Sequence, residues 1–171
     1  MAGTVLKLDH KVSTTTIVNT TAETDLLSSS IPGNALSIVG NKIRVELVGD
    51  ILNNTGAADT VLLKFKYGTT TILTTKAISL GASTNRRKWR AEIELIAETS
   101  SAQRCSGMAH VSEASSDTWA TDEASGVNVV GYGTAAEATS SAKDVKVTAT
   151  LGSASANLEI TCKMGTVELL R

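Results

Sequence analysis

The sequence predicts an all-β protein, a single antiparallel β-sandwich of jelly-roll type. Two observations carry that expectation. Three runs between residues 41 and 97 alternate apolar with charged side chains: Lys42-Ile43-Arg44-Val45-Glu46-Leu47, Leu62-Leu63-Lys64-Phe65-Lys66-Tyr67 and Trp89-Arg90-Ala91-Glu92-Ile93-Glu94-Leu95. A strand turns successive side chains to opposite faces, so each run has one oily face and one wet face, as in an antiparallel sheet with one side buried. In addition, no segment sets apolar residues at helical spacing; residues 135–142 tolerate a helix but lack its stripe. Many short strands separated by turns point to a sandwich or barrel. About eight strands with one long crossing connection suit a jelly roll. An immunoglobulin-like sandwich is the rival, but its spaced Cys, Trp and Cys are missing.

The elements follow in order. Residues 4–8 and 11–18 are strands that either pair as a hairpin or run out as an extended arm, so residues 1–18 are set apart from a sandwich domain of 19–171. Residues 26–30 form a short strand before Pro32-Gly33-Asn34, which is strong turn chemistry. Residues 41–52 are a long strand, ended by Asn53-Asn54-Thr55-Gly56. Residues 60–67 and 71–79 make a hairpin about Gly68-Thr69-Thr70. Residues 81–85 are a loop, and 87–99 with 103–112 form the next hairpin. Residues 112–143 are rich in Ser, Ala, Thr and Gly and hold one strand near 127–132. A connection this long in a compact domain points to function. Alternation then resumes: Val145, Val147, Ala149 and Leu151 oppose Asp144, Lys146, Thr148 and Thr150. Leu158, Ile160, Cys162 and Met164 likewise oppose Glu159, Thr161 and Lys163, and Val167-Glu168-Leu169-Leu170 extends or follows that strand.

The 171 residues fit one domain and can bury a core without staples. The chain is 42% hydrophobic but only 3% aromatic, so its core is built from Val, Ile, Leu and Ala. A net charge of -1, with no acidic or basic tail, calls for no polyanion partner. No apolar run is long enough to cross a bilayer as a helix. Met1 to Asp9 lacks a basic stretch followed by an apolar one, so no secretory signal is expected. The chain is expected to be made in the cytoplasm and to leave a cell only within a particle. Cys105 and Cys162 are too few for a disulfide framework. Cys162 reads as a small buried hydrophobe, and a bridge between the two is the lesser alternative.

Catalytic chemistry finds little support. His10 and His110 are the only histidines and have no ligands at metal-binding spacing. Neither a metal nor an organic cofactor is expected. No serine sits in a Gly-x-Ser-x-Gly elbow. Glu92 and Glu94 share the face opposite Trp89, Ile93 and Leu95, which makes them solvated partners for cross-strand charge pairing with Lys64, Lys66 or Arg44. Arg86-Arg87-Lys88-Trp89-Arg90 is the densest basic cluster, but no second segment extends it into a nucleic-acid footprint. Trp89 falls on the apolar phase and is expected in the core. Arg86 and Arg87 are candidate contacts to a partner subunit. Trp119 and Tyr132 lie outside the strongest strands. They could bind sugar, seat an interface, or cover the open edge of the core.

Three stretches also carry a resemblance: Gly49-Asp50-Ile51-Leu52-Asn53-Asn54, the basic run continued as Ala91-Glu92, and Ala142-Lys143-Asp144-Val145-Lys146-Val147-Thr148 with Ala156-Asn157-Leu158-Glu159-Ile160. By the order of these motifs, residues 26–170 resemble the small β-sandwich virion proteins of tailed bacteriophages. The resemblance implies a jelly-roll-like domain that assembles as a homotrimer on the virion. It implies a capsid decoration protein bound to the major capsid protein, or a head-fibre or tail-associated module that binds carbohydrate or a receptor. It brings no catalytic residues.

Overall fold

The computed structural model describes residues 4–115 and 126–171. Twelve strands are present among them: β1 (Val5–Lys11), β2 (Thr15–Val18), β3 (Thr24–Ile31), β4 (Lys42–Asn53), β5 (Asp59–Tyr67), β6 (Thr70–Thr74), β7 (Ile78–Leu80), β8 (Ser83–Thr99), β9 (Ala102–Ala114), β10 (Val127–Ala135), β11 (Lys143–Leu151) and β12 (Leu158–Leu170). They form a seven-stranded sheet in the order β1-β12-β4-β8-β9-β10, with β2 also on β12. A five-stranded sheet runs β3-β11-β5-β6, with β7 also on β5. All pairings are antiparallel.

Eight of these strands wind as a jelly roll. The chain passes from sheet to sheet so that the four-strand orders are β2-β12-β4-β8 and β3-β11-β5-β6. That is the order of two nested Greek keys. β9 and β10 then extend the larger sheet beyond β8 as a meander. Both were expected as strands from the sequence, at 103–112 and near 127–132, and with β1 and β7 they lie outside the eight-strand roll.

Turn chemistry sets the strand ends. Pro32 follows β3, and Asn34 takes a positive φ of 63°. Gly68 turns β5 into β6 at φ 57°, a backbone region that costs glycine little. The strand expected over 71–79 is split into β6 and β7. Between them Thr75 meets Leu63: its N–H donates to the Leu63 carbonyl (2.9 Å), while its hydroxyl accepts the Leu63 N–H (3.0 Å). The loop expected at 81–85 is largely strand, because Ser83 pairs with Asn53 at the far end of β4. Asn53 also donates from Nδ2 to the carbonyls of Ala57 (2.9 Å) and Leu80 (2.7 Å).

The hairpin reading of residues 4–18 fails. β1 and β2 lie end to end along β12, pairing with Gly165–Leu170 and Glu159–Cys162 respectively. Val5 and Leu6 remain exposed there.

The core is the space between the sheets. Val145, Val147, Ala149 and Leu151 face it, as do Leu158, Ile160 and Cys162. Met164 does not: it is 56% exposed. The register shifts between Cys162 and Met164, and one extra residue flips every later side chain to the other face. Gly165, Val167 and Leu169 therefore point inward in its place. Both cysteines are buried and free. Trp89 is buried, and its indole Nε1 donates to the Thr161 carbonyl (2.8 Å). Gly49 makes room for that contact, since a Cβ there would lie 1.8 Å from the same carbonyl.

Candidate interaction face and cavity

β10 ends the large sheet and presents two different faces. Its outward side chains are Asn128, Val130, Tyr132 and Thr134. Val130 is 81% exposed and Tyr132 92%. Across the ladder Val130 lies opposite Met108, itself half exposed, and Tyr132 opposite Ser106. Opposite residues stand within side-chain contact range, so Val130, Met108 and Tyr132 form one contiguous apolar patch. His110 Nδ1 and Asn128 Oδ1, 2.8 Å apart, border it.

The inward face of β10 meets β6 across the open side of the sandwich. Glycines on β10 and β9 let β6 approach the large sheet. A Cβ on Gly133 would sit 2.5 Å from the Ile72 carbonyl oxygen, and one on Gly107 2.6 Å from Leu73 Cδ1. Strand glycine often marks such a close backbone approach. Farther along, the sheets part around a cavity of about 570 Å³. Leu63, Phe65 and Ile93 form much of its wall, with Lys76 and Asn128 among the polar residues that line it. Its cause is side-chain size. Ala91 and Ala109 face each other in register on β8 and β9, and neither fills the interior between the sheets.

The basic cluster is taken apart by strand alternation. Arg86 points outward and is held within the chain, its Nη1 at 2.7 Å from Asp50 Oδ1 and 2.9 Å from Glu159 Oε1. Lys163 Nζ lies 2.7 Å from Asp50 Oδ2, and the Thr161 hydroxyl donates to Asp50 Oδ1 (2.8 Å). Burial pushes the Asp50 carboxyl up, but Lys163, Thr161 and Arg86 outweigh it and hold the group below the usual carboxylate range. Glu159 and Asp50 in turn raise Arg86. Arg87 points inward and is 8% exposed, with Nη1 lacking a hydrogen-bond partner among the described residues; burial lowers its pKa. Arg90 pairs with Glu92, and Glu94 with Lys42 and Arg44. Lys64 and Lys66 lie on the other sheet and pair with Glu23 instead. They sit on β5, which has no ladder with β8.

A second buried carboxylate escaped the sequence reading. Glu137, between β10 and β11, accepts on Oε1 from the N–H and hydroxyl of Thr69 (both 3.0 Å) and of Thr70 (3.1 and 2.8 Å). Its Oε2 meets Lys143 Nζ at 3.0 Å. The buried Gln103 amide brackets its backbone, donating to the Glu137 carbonyl (2.9 Å) and accepting its N–H (3.2 Å). Burial works to raise the Glu137 carboxyl, yet Lys143, Thr70 and Thr69 bring it down to about 2. A threonine pair in a turn and a distant glutamate leave no spacing signal in a sequence.

Of the four residues singled out from the sequence, Tyr132 therefore lies on the exposed end of the large sheet, Arg86 and Arg87 lie on opposite faces of β8, and Trp119 falls outside the described residues. Among the described residues no group of three His, Cys, Asp or Glu side chains is placed to hold a metal. Among the described residues no helix is long and apolar enough to cross a membrane. Asp50 and Glu137 are bound by cations and held ionised, which suits them to structure and poorly to proton transfer near neutral pH.

No family model matches the chain, and no curated protein does. Solved structures similar to it include the CBM2 module of the evolved Dit of Lactobacillus casei BL23 phage J-1, at 8% identity over 99% of this chain and 98% of that one, TM-score 0.45. Lectin I from Ulex europaeus, in complex with the methyl glycoside of α-L-fucose, shares 8% identity over 98% of both chains, TM-score 0.38. The VP2 subviral particle of infectious bursal disease virus shares 13% identity over 99% of this chain and 32% of that one, TM-score 0.34. These likenesses are of all-β build alone.

Proposed function

We propose that this chain is a non-catalytic structural protein of a virus particle, a decoration protein that binds the major capsid protein on the outside of a tailed-phage head. The observation that carries the reading is the contiguous patch of Met108, Val130 and Tyr132 on the flat outer face of the large sheet. Over β4, β8 and β12 that face is covered by ion pairs, including those of Arg86 with Asp50 and of Arg44 with Glu94. Exposed apolar side chains rimmed by polar ones are the anatomy of a protein contact. One such patch binds weakly. Many copies on a repeating shell bind tightly, since each occupied contact raises the local concentration for the next. The virion setting rests on the sequence resemblance. Co-sedimentation with undecorated heads tests the reading: wild type pellets with the heads, and Tyr132→Ala with Val130→Ser pellets about tenfold less. Wild type left in the supernatant, or equal pelleting by the variant, overturns it.

A second reading has its own support. The Tyr132 ring is almost fully exposed on the outer face of β10, with Ser106 directly across the ladder. An exposed aromatic with a neighbouring hydroxyl is a platform for stacking and hydrogen-bonding a sugar. A fibre or tail module binding carbohydrate would use it. A glycan array separates the readings: hits abolished by Tyr132→Ala favour the sugar, and a blank array removes it.

A further inference from the structure

We propose that β10 is an addable sheet edge and that its occupant is the β10 of a second copy of this chain, paired antiparallel about a two-fold axis through Gly131. Edge strands display unpaired backbone groups, and proteins blunt them with charge, proline, bulges or short length. The other edges here are blunted. β1 carries Lys7, Asp9 and Lys11 and a register shift between Lys7 and Asp9. β3 carries Asp25 and a register shift against β11. β2, β6 and β7 have five residues or fewer. β10 has none of these devices. It is nine residues long, Val-Asn-Val-Val-Gly-Tyr-Gly-Thr-Ala, with no charge and no proline. Its ladder with β9 runs unshifted from Val127 to Ala135. No described strand pairs with its outer edge.

The choice of occupant follows from the strand's own sequence. In an isologous pair a residue at i faces its counterpart at j, and any charge would meet a copy of itself nearby. A strand without charge is free of that repulsion. About an axis at Gly131, its middle residue, Val130 faces Tyr132 of the other copy on the outer side, and Asn128 faces Thr134. Gly131 faces itself on the inner side, where no side chains crowd. On the outer side apolar meets aromatic and polar meets polar, and on the inner side Val129 faces Gly133 and Val127 faces Ala135. Pairing would also join the two outer patches, so that Met108, Val130 and Tyr132 of both copies form one stripe across the axis. This inference stands whether or not the particle reading does.

Light scattering on the eluting protein, across a concentration series, reads the mass. The dimer is expected for wild type, and Val130→Lys is expected to weaken it about tenfold or more, because the two lysines would sit diagonally about 7–8 Å apart. Val130 is mostly exposed, so the substitution leaves the fold intact, as circular dichroism would confirm. A short bis-maleimide should link Val130→Cys to itself and leave Met164→Cys, on the opposite part of the sheet, unlinked. A monomer at every concentration overturns the proposal, and so does an oligomer indifferent to Val130→Lys. A trimer of the kind the resemblance implies, sensitive to Val130→Lys but unlinked through Val130→Cys, also overturns it, since β10 would then meet a different surface. Dimerisation without head binding leaves the pairing standing and removes only the particle reading.

Discussion

Loss of the Glu137 charge should cost stability, and the cost should depend on pH. One carboxylate oxygen takes two N–H and two hydroxyl donors from Thr69 and Thr70, and the other takes Lys143. These bonds tie the β5–β6 turn of the small sheet to the chain entering β11. Gln103 fixes the same residue's backbone to β9 of the large sheet. Gly68 completes the seat, because a Cβ there would lie 2.8 Å from the carboxyl carbon. Replacing Glu137 by Gln keeps the shape and removes the charge.

The folded carboxyl sits at about 2 against an ordinary 4.5. At about 1.36 kcal/mol per pH unit, that difference stabilises the fold by about 3 kcal/mol near neutral pH. The sign is fixed by the direction of the shift. The folded pKa is depressed, so the stabilisation is complete above 4.5 and drains away as pH falls towards 2. Urea unfolding of wild type and Glu137→Gln at a series of pH values should show a gap of about 2–3 kcal/mol at neutrality. The gap should close through that acid window. A gap below about 0.5 kcal/mol at neutral pH, or one unchanged in acid, would refute the assignment of the effect to charge. Lys143→Met in a double-mutant cycle isolates the ion pair, and coupling should be absent once Glu137 is protonated.

Three further outcomes are expected. Asp50→Ala removes the buried partner that Arg86 and Lys163 share, but Arg86 keeps Glu159 and Lys163 is exposed, so it should cost about 1–3 kcal/mol in thermal or urea unfolding. Gly133→Ala drives a Cβ towards the Ile72 carbonyl, a backbone atom that cannot swing away, and should lower stability by about 1–3 kcal/mol; Gly131→Ala, whose Cβ would meet Leu73 Cδ2 at an ordinary 3.7 Å, should not. Ala109→Val adds two methyl groups beside the cavity and should raise stability by about 0.5–1 kcal/mol in the same unfolding assay.

Strand period made the large architecture legible. Wherever one face is buried, alternation records it, as in Ile43, Val45 and Leu47 or Val145, Val147 and Ala149. It fails at bulges, because a bulge is a backbone event without a fixed residue signature. Met164 shows this: the written pattern continues smoothly while the ladder slips beneath it. Alternation also says nothing about which strands are neighbours, so charge partners across sheets were misassigned. Lys64 and Lys66 share the spacing of Arg44 but not its sheet, and Glu23 takes them. The exposed patch was half readable. Tyr132 stands out as an aromatic between glycines, while Met108 joins it only through the β9–β10 register. The glycines of these strands are themselves a signal, since Gly107 and Gly133 sit where β6 approaches the large sheet.

The two ends of the large sheet are built on opposite physical terms. At the β1 end, lysines, an aspartate and a register shift stand on the outer strand, each of which discourages another strand from adding. At the β10 end the side chains are neutral and the ladder is regular. A sheet that grew from both ends would form open stacks without limit. A sheet that grows from one end, by a strand pairing with its own copy, closes after two. Opposed edges of this kind therefore let a sticky strand form a closed pair and not an open stack. Grafting the β1 remedy onto the other end, a single lysine on the outer face of β10, should weaken assembly about tenfold or more while leaving the unfolding stability of the monomer unchanged within about 0.5 kcal/mol.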